Sequence, residues 1–121
     1  MTMTPTPTHG ATRAWVAVCD VARMIPDRGV AALVDGRAVA IFLLADGELC
    51  VIDNVDPCSG ASVLSRGIVG DVDGAVCVAS PMYKDRFDLH TGRCLDRADV
   101  RVGVHEAMVR DGMVAVRLAD G

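Results

Sequence analysis

Apolar residues fall along this chain in short blocks rather than at helical intervals. "GVAALV" (29–34), "RAVAIFLL" (37–44), "ELCVID" (48–53), "AVCVAS" (75–80), "VHEAMVR" (104–110) and "MVAVRL" (113–118) are rich in Val and Ala. Blocks this short, β-branched and bounded by turn residues predict strands rather than helices. Asp-Gly stands beside them at 35–36, 46–47, 73–74 and 111–112. A two-residue hairpin needs positive φ at both central positions, and Asp and Gly both tolerate it, so each pair predicts a hairpin. One strand in about every ten residues, with turns between, predicts an all-β fold, a small antiparallel sandwich or barrel.

Two segments break the pattern. In "CDVARMIPDRG" (19–29), Asp20 is placed as an N-cap and Pro26 as a stop, which predicts one short helical turn. Residues 53–71, "DNVDPCSGASVLSRGIVGD", lose the alternation and return to a strand through Ile68 and Val69. With "VASPMYKDRFDLHTGRCL" (78–95) they form two protruding loops, each leaving a strand and separated by one hairpin. A compact domain seldom carries so long an irregular segment without a use for it. The opening "MTMTPTPTHGATR" is Thr-, Pro- and Gly-rich and predicts a disordered tail over 1–13. The domain is expected over 14–118, with a short tail at 119–121.

Composition narrows the function classes. Apolar residues make up 51% of the 121, yet only four are aromatic, so the core must be built mainly from Val, Ala, Leu, Ile and Met. The formal charge of −4 argues against nucleic acid, whose affinity rests on basic residues neutralising phosphates. No apolar run approaches the ~20 residues of a membrane span, and the N-terminus lacks a basic start and an apolar stretch of the secretory kind. Five cysteines without CxxC spacing then predict reduced thiols in a cytoplasm.

The two loops resemble those of the Rieske iron–sulfur domain, in which Cys-x-His and Cys-x-x-His hold a 2Fe–2S cluster. Ser80-Pro81-Met82-Tyr83 stands where that family has Cys-Pro-x-His, and Phe87-Asp88 stands where its Phe-Asp follows. In the first loop Asp56 takes the Cys position and Cys58 the His position, with an apparent extra residue near Gly60–Leu64. The resemblance thus makes Asp56, Cys58, Ser80 and Tyr83 degenerate cluster positions, and the expectation is no metal and no cofactor in this chain. "VLSRGIVGD", "SPMYKDRF" and "GRCL" are similar to one branch, the small subunits of cytoplasmic NAD(P)H-dependent assimilatory nitrite reductases, over about residues 14–118. That likeness implies a large catalytic subunit as partner, carrying FAD, sirohaem and a 4Fe–4S cluster and reducing nitrite to ammonium. It also implies no catalytic residue here; charge and hydropathy leave no expectation of a nucleic-acid or membrane partner, and self-association is left open.

A loop kept without its ligands suggests recognition. Pro81 stiffens the backbone, and Met82, Tyr83, Lys84 and Arg86 offer apolar surface and charge, so these five are the candidate partner interface. Tyr83 is also expected to plug the loops from inside, its hydroxyl bonding the opposite loop. Ser80 is expected to bond within its loop, Asp53 and Asp56 to form turns, and Asp88 to cap the turn after it. Phe87, Cys50 and Cys77 are expected in the core, Cys58 partly buried, and His90 and His105 solvent-facing or satisfied. Two other readings stay open: an electron carrier with an atypical iron site drawing on Cys58 with His90 or another thiol, and a stand-alone regulatory binding module.

Overall fold

The computed structural model describes residues 14–119; of the tails expected at 1–13 and 119–121, all but Ala119 lies outside them. Nine strands follow in order: β1 (Val16–Asp20), β2 (Val30–Val34), β3 (Arg37–Leu43), β4 (Leu49–Asp53), β5 (Ile68–Val72), β6 (Ala75–Ala79), β7 (Arg86–Asp88), β8 (Val104–Arg110) and β9 (Met113–Arg117). All six predicted blocks are strands. Three-residue 3-10 turns at Val21–Arg23 and Leu64–Arg66 are the helical elements among the described residues. The first is the expected one: Asp20 caps it by accepting from the Ala22 amide at 3.0 Å. No helix of the described residues is long and apolar enough to cross a membrane.

Six strands form one antiparallel sheet in the order β1-β9-β8-β4-β3-β2. Its outer strands β1 and β2 touch, so the sheet curls into a nearly closed barrel. β5, β6 and β7 make a second, three-stranded antiparallel sheet. Three of the four Asp-Gly pairs are tight hairpins with both residues at positive φ: Asp35-Gly36, Asp73-Gly74 and Asp111-Gly112. The fourth differs. Only Gly47 has positive φ (94°), Asp46 instead accepts from the Glu48 amide, and a longer turn closes through the Leu44 amide on the Glu48 carbonyl.

The core has two halves. Val34, Val39, Ile41, Val51, Val114, Val116 and Leu118 fill the barrel interior. Ala40, Phe42, Cys50 and Ile52 leave the other face of β3 and β4 and pack with Leu64, Val78, Phe87 and Leu89, joining the two sheets. Successive strand residues point to opposite faces, so β3 feeds both halves alternately. Phe87 lies fully buried beneath the loops, as expected, and Cys77 is buried with it. Leu64, also fully buried, pins the first loop to this second half.

Candidate functional site: the paired loops

Loop one leaves β4 and is organised by Asn54, a buried side chain. Its Oδ1 accepts from the Ser65 amide at 2.7 Å, its Nδ2 donates to Ser62 Oγ at 2.9 Å, and its carbonyl receives the Val63 and Leu64 amides. Asp56, with no exposed surface, then closes the next turn: its Oδ1 accepts from the Cys58 amide at 2.8 Å, and its carbonyl accepts from Gly60. That is the expected turn former. Asp53 is not one. It ends β4 and receives Arg37 through Nε and Nη2 (2.9 and 3.0 Å), the Gly103 amide (2.9 Å) and His105 Nε2 (2.8 Å). His105 Nδ1 accepts from the Ala119 amide, so the ring proton sits on Nε2 and donates to Asp53. Both ring nitrogens of this buried histidine are thereby satisfied, as expected.

Loop two leaves β6 at Ser80 and turns back at Asp85. The Ser80 amide donates to the Asp85 carbonyl and the Lys84 amide to the Ser80 carbonyl, with Lys84 at φ 66°. The two loops meet where Ser80 Oγ donates to Asp56 Oδ2 at 2.5 Å, both residues being almost wholly buried, and where Cys58 faces Asp85. Ser80 is therefore the loop hydrogen-bonder foreseen, with a partner on the opposite loop that local reading does not reveal. Two ion pairs brace the loop from the segment after β7. Arg97 Nε meets Asp85 Oδ2 at 3.1 Å, and Arg86 holds Asp96 through its backbone amide, Nε and Nη2.

Tyr83 is not the plug. It is 59% exposed and makes no hydrogen bond among the described residues; the Ser80–Asp56 pair closes the interior in its place. Pro81, Met82 and Lys84 are exposed beside it, whereas Arg86 sits half-buried at the foot of the loop with its guanidinium committed to Asp96. Asp88 accepts from the His90 and Thr91 amides and caps its turn as expected. Cys58 is partly buried, and burial, then the Asp85 carboxyl, push its thiol up, away from the thiolate that makes a cysteine reactive. His90 bonds Glu48 near Cys50, while Cys58 faces Asp85, so the pair supposed for an atypical iron site is not brought together.

A Rieske cluster needs two thiolates on one iron and two imidazoles on the other. Of the four corresponding positions, Asp56 and Ser80 satisfy each other inside the protein, Cys58 leans on Asp85, and Tyr83 points outward. One thiol, a carboxyl, a hydroxyl and a phenol held this way do not fit that group. Missed in the sequence were the organising role of Asn54 and the ion pairs of Asp85 and Asp96. Arg86 and Asp96 are 10 positions apart and Asp85 and Arg97 are 12, so no local spacing in the sequence signals these pairs.

Residues 14–117 match the Rieske-like [2Fe-2S] domain, and the chain belongs to that family. Within it the chain falls among the nitrite reductase small subunits. The NADH nitrite reductase small subunit of Salmonella typhimurium is 39% identical over 104 residues, 85% of this chain and 96% of that protein. A solved structure from Mycobacterium tuberculosis, described as an NADH-dependent nitrite reductase small subunit, superimposes with a TM-score of 0.85 at 44% identity, covering 90% of this chain and 98% of that one. A nitrite reductase [NAD(P)H] large subunit from Klebsiella oxytoca also matches, 38% identical over 104 residues; these are 86% of this chain and 11% of that longer protein.

Proposed function

We propose that this chain is the small subunit of a cytoplasmic NAD(P)H-dependent nitrite reductase, that it binds no 2Fe–2S cluster, and that it docks on the large catalytic subunit through loop two. The carrying observation is the buried Ser80–Asp56 bond, which closes the former ligand positions while Met82 and Tyr83 stay exposed at 47% and 59%. A protein with this interior keeps the loop's shape without its redox centre. The reduction of nitrite then belongs to the partner, and this chain contributes surface.

The Klebsiella match supports the choice of partner, because there a segment like this chain is part of the large subunit itself. Fusion holds two domains at a high effective concentration; a separate chain must supply affinity through its own contacts. Exposed Tyr and Met side chains on a braced loop suit that task, since aromatic anchors dominate binding energy when pockets enclose them. Pro81, Met82, Tyr83 and Lys84 form the contacting edge, and Arg86 holds its base through Asp96.

The test is co-purification with the large chain. Tyr83→Ala and Met82→Ala together should weaken association by about 2 kcal/mol or more, roughly thirtyfold, while leaving thermal unfolding unchanged. Undiminished affinity in the double variant removes the docking proposal. Iron and acid-labile sulfide, measured on the chain isolated alone, should both be far below stoichiometric, and two of each per chain would overturn the cluster-free reading.

A further inference from the structure

We propose that Glu48, Cys50 and His90 form a binding site for a divalent transition-metal ion of the zinc type, at the far end of β4 from the loop-one ligand positions. His90 Nε2 lies 2.9 and 3.0 Å from the two Glu48 carboxylate oxygens, and Cys50 Sγ lies within 4.8 Å of both groups. Imidazole, carboxylate and thiolate are the three donor types that zinc accepts, and three protein donors leave one position open for water or an outside ligand.

The fold builds this arrangement for stated reasons. Cys50 is the second residue of β4 and Glu48 stands just before the strand, where the turn brings its carboxylate to the side of the thiol. Glu48 is fixed by the turn that the Leu44 amide and Asp46 carboxylate close. His90 is fixed by its amide on Asp88 Oδ1 at 2.7 Å and by Leu89, whose amide bonds the Val76 carbonyl. Cys50 is only 5% exposed and belongs to the core half that holds Phe42, Ile52 and Leu89. Its thiol, held beside a carboxylate and an imidazole, is the group a metal would engage.

Access and charge agree. Glu48 and His90 line an open cleft of about 480 Å³ whose other walls include Asp27, Asp46 and Asp71. The acidic rim draws cations to the mouth. On binding, the ion displaces the hydrogen from His90 Nε2, the imidazole keeping one proton on Nδ1 as a neutral ligand, and the Cys50 thiol releases its proton to solvent. The ligand charge of −2, from carboxylate and thiolate, then balances a divalent ion. A second cluster, Asp85, Cys94 and Asp96, offers similar spacing, but Arg97 and Arg86 already occupy both of its carboxylates. That competition favours the first.

The experiment uses the full, untagged chain after chelator treatment, titrated with Co²⁺ alone and then with Zn²⁺ as competitor. One equivalent of Co²⁺ should produce a thiolate-to-cobalt charge-transfer band, which Zn²⁺ abolishes. Cys50→Ala should lose the band. His90→Ala and Glu48→Gln, both changes at exposed side chains that leave the core intact, should each weaken binding by about tenfold or more. Cys58→Ala and Cys94→Ala should retain the full signal. No band at micromolar Co²⁺ overturns the proposal. So does a band that survives His90→Ala unchanged, or one that disappears in Cys58→Ala.

Discussion

Ser80→Ala tests the interior on which the functional reading stands. The substitution removes one oxygen and almost no volume. Asp56 Oδ2 loses the hydroxyl at 2.5 Å, and with no exposed surface on Asp56, water has no route to replace it. Oδ1 keeps the Cys58 amide at 2.8 Å, so one side of the carboxyl stays satisfied. The Met82 amide also loses Ser80 Oγ at 3.2 Å, but in an exposed stretch solvent takes over that bond. The net cost is that of one buried polar atom left unpaired, about 2 kcal/mol. For a domain of this size that is a fall in melting temperature of roughly 10 °C. Tyr83→Ala, at the other degenerate position of the same loop, should change stability by less than about 0.5 kcal/mol, since its ring is exposed. Urea and thermal unfolding followed by circular dichroism would measure both. A Ser80→Ala variant as stable as the parent, or a Tyr83→Ala variant equally damaged, would refute the account of how the loops are closed.

Three further outcomes follow from other parts of the molecule. Burial alone would raise the Asp53 carboxyl, but hydrogen bonds from Arg37, His105 and the Gly103 amide outweigh it and hold the group below the usual carboxylate range. A depressed folded value means that the stabilisation is present above the unfolded value of about pH 4 and is lost as pH falls through the folded one. Urea midpoints measured from neutral pH downward should therefore show an acid-side decline, and Asp53→Asn should be less stable at neutral pH with a shallower decline. Gly92→Ala should cost about 3 kcal/mol, because Gly92 sits at φ +78° and an added Cβ would stand 2.1 Å from the Val102 carbonyl oxygen. Leu64→Ala should cost about 3 kcal/mol by opening a cavity beneath loop one, measurable as the same shift in urea midpoint.

The strands were legible where a single block carried its own turn. Asp35-Gly36, Asp73-Gly74 and Asp111-Gly112 announce hairpins locally, and their partners are adjacent in sequence. β1 was harder to see, because Val16–Asp20 pairs with Met113–Val116 at the opposite end of the chain, through a register shift at Ala17–Cys19. β7 is only three residues long and draws its definition from Val78 and Ala79 opposite. At the candidate site, the resemblance marked two loops that the fold brings together, and local chemistry found the Asp88 cap and the Asp56 turn. It misassigned Tyr83, because an aromatic ring is the obvious filler for a vacated interior. The actual closure is by two small polar residues 24 positions apart, a pairing that only the folded loops bring about. Asp53 reads locally as a turn former for the same reason: its partners Arg37, Gly103 and His105 all lie on other segments.

β3 is buried on both faces, with Val39 and Ile41 in one half of the core and Ala40 and Phe42 in the other. Sliding this strand by one residue would exchange the two sets and empty small side chains into a space shaped for a phenyl ring, so its register is enforced twice. The amides of β3 and β4 should accordingly be the last to exchange with deuterium, opening only when the whole domain unfolds. Loop two, held by side-chain bridges at its ends, should exchange early. The exposed edge of loop two, Pro81 to Lys84, can thus exchange while the strands beneath it stay locked.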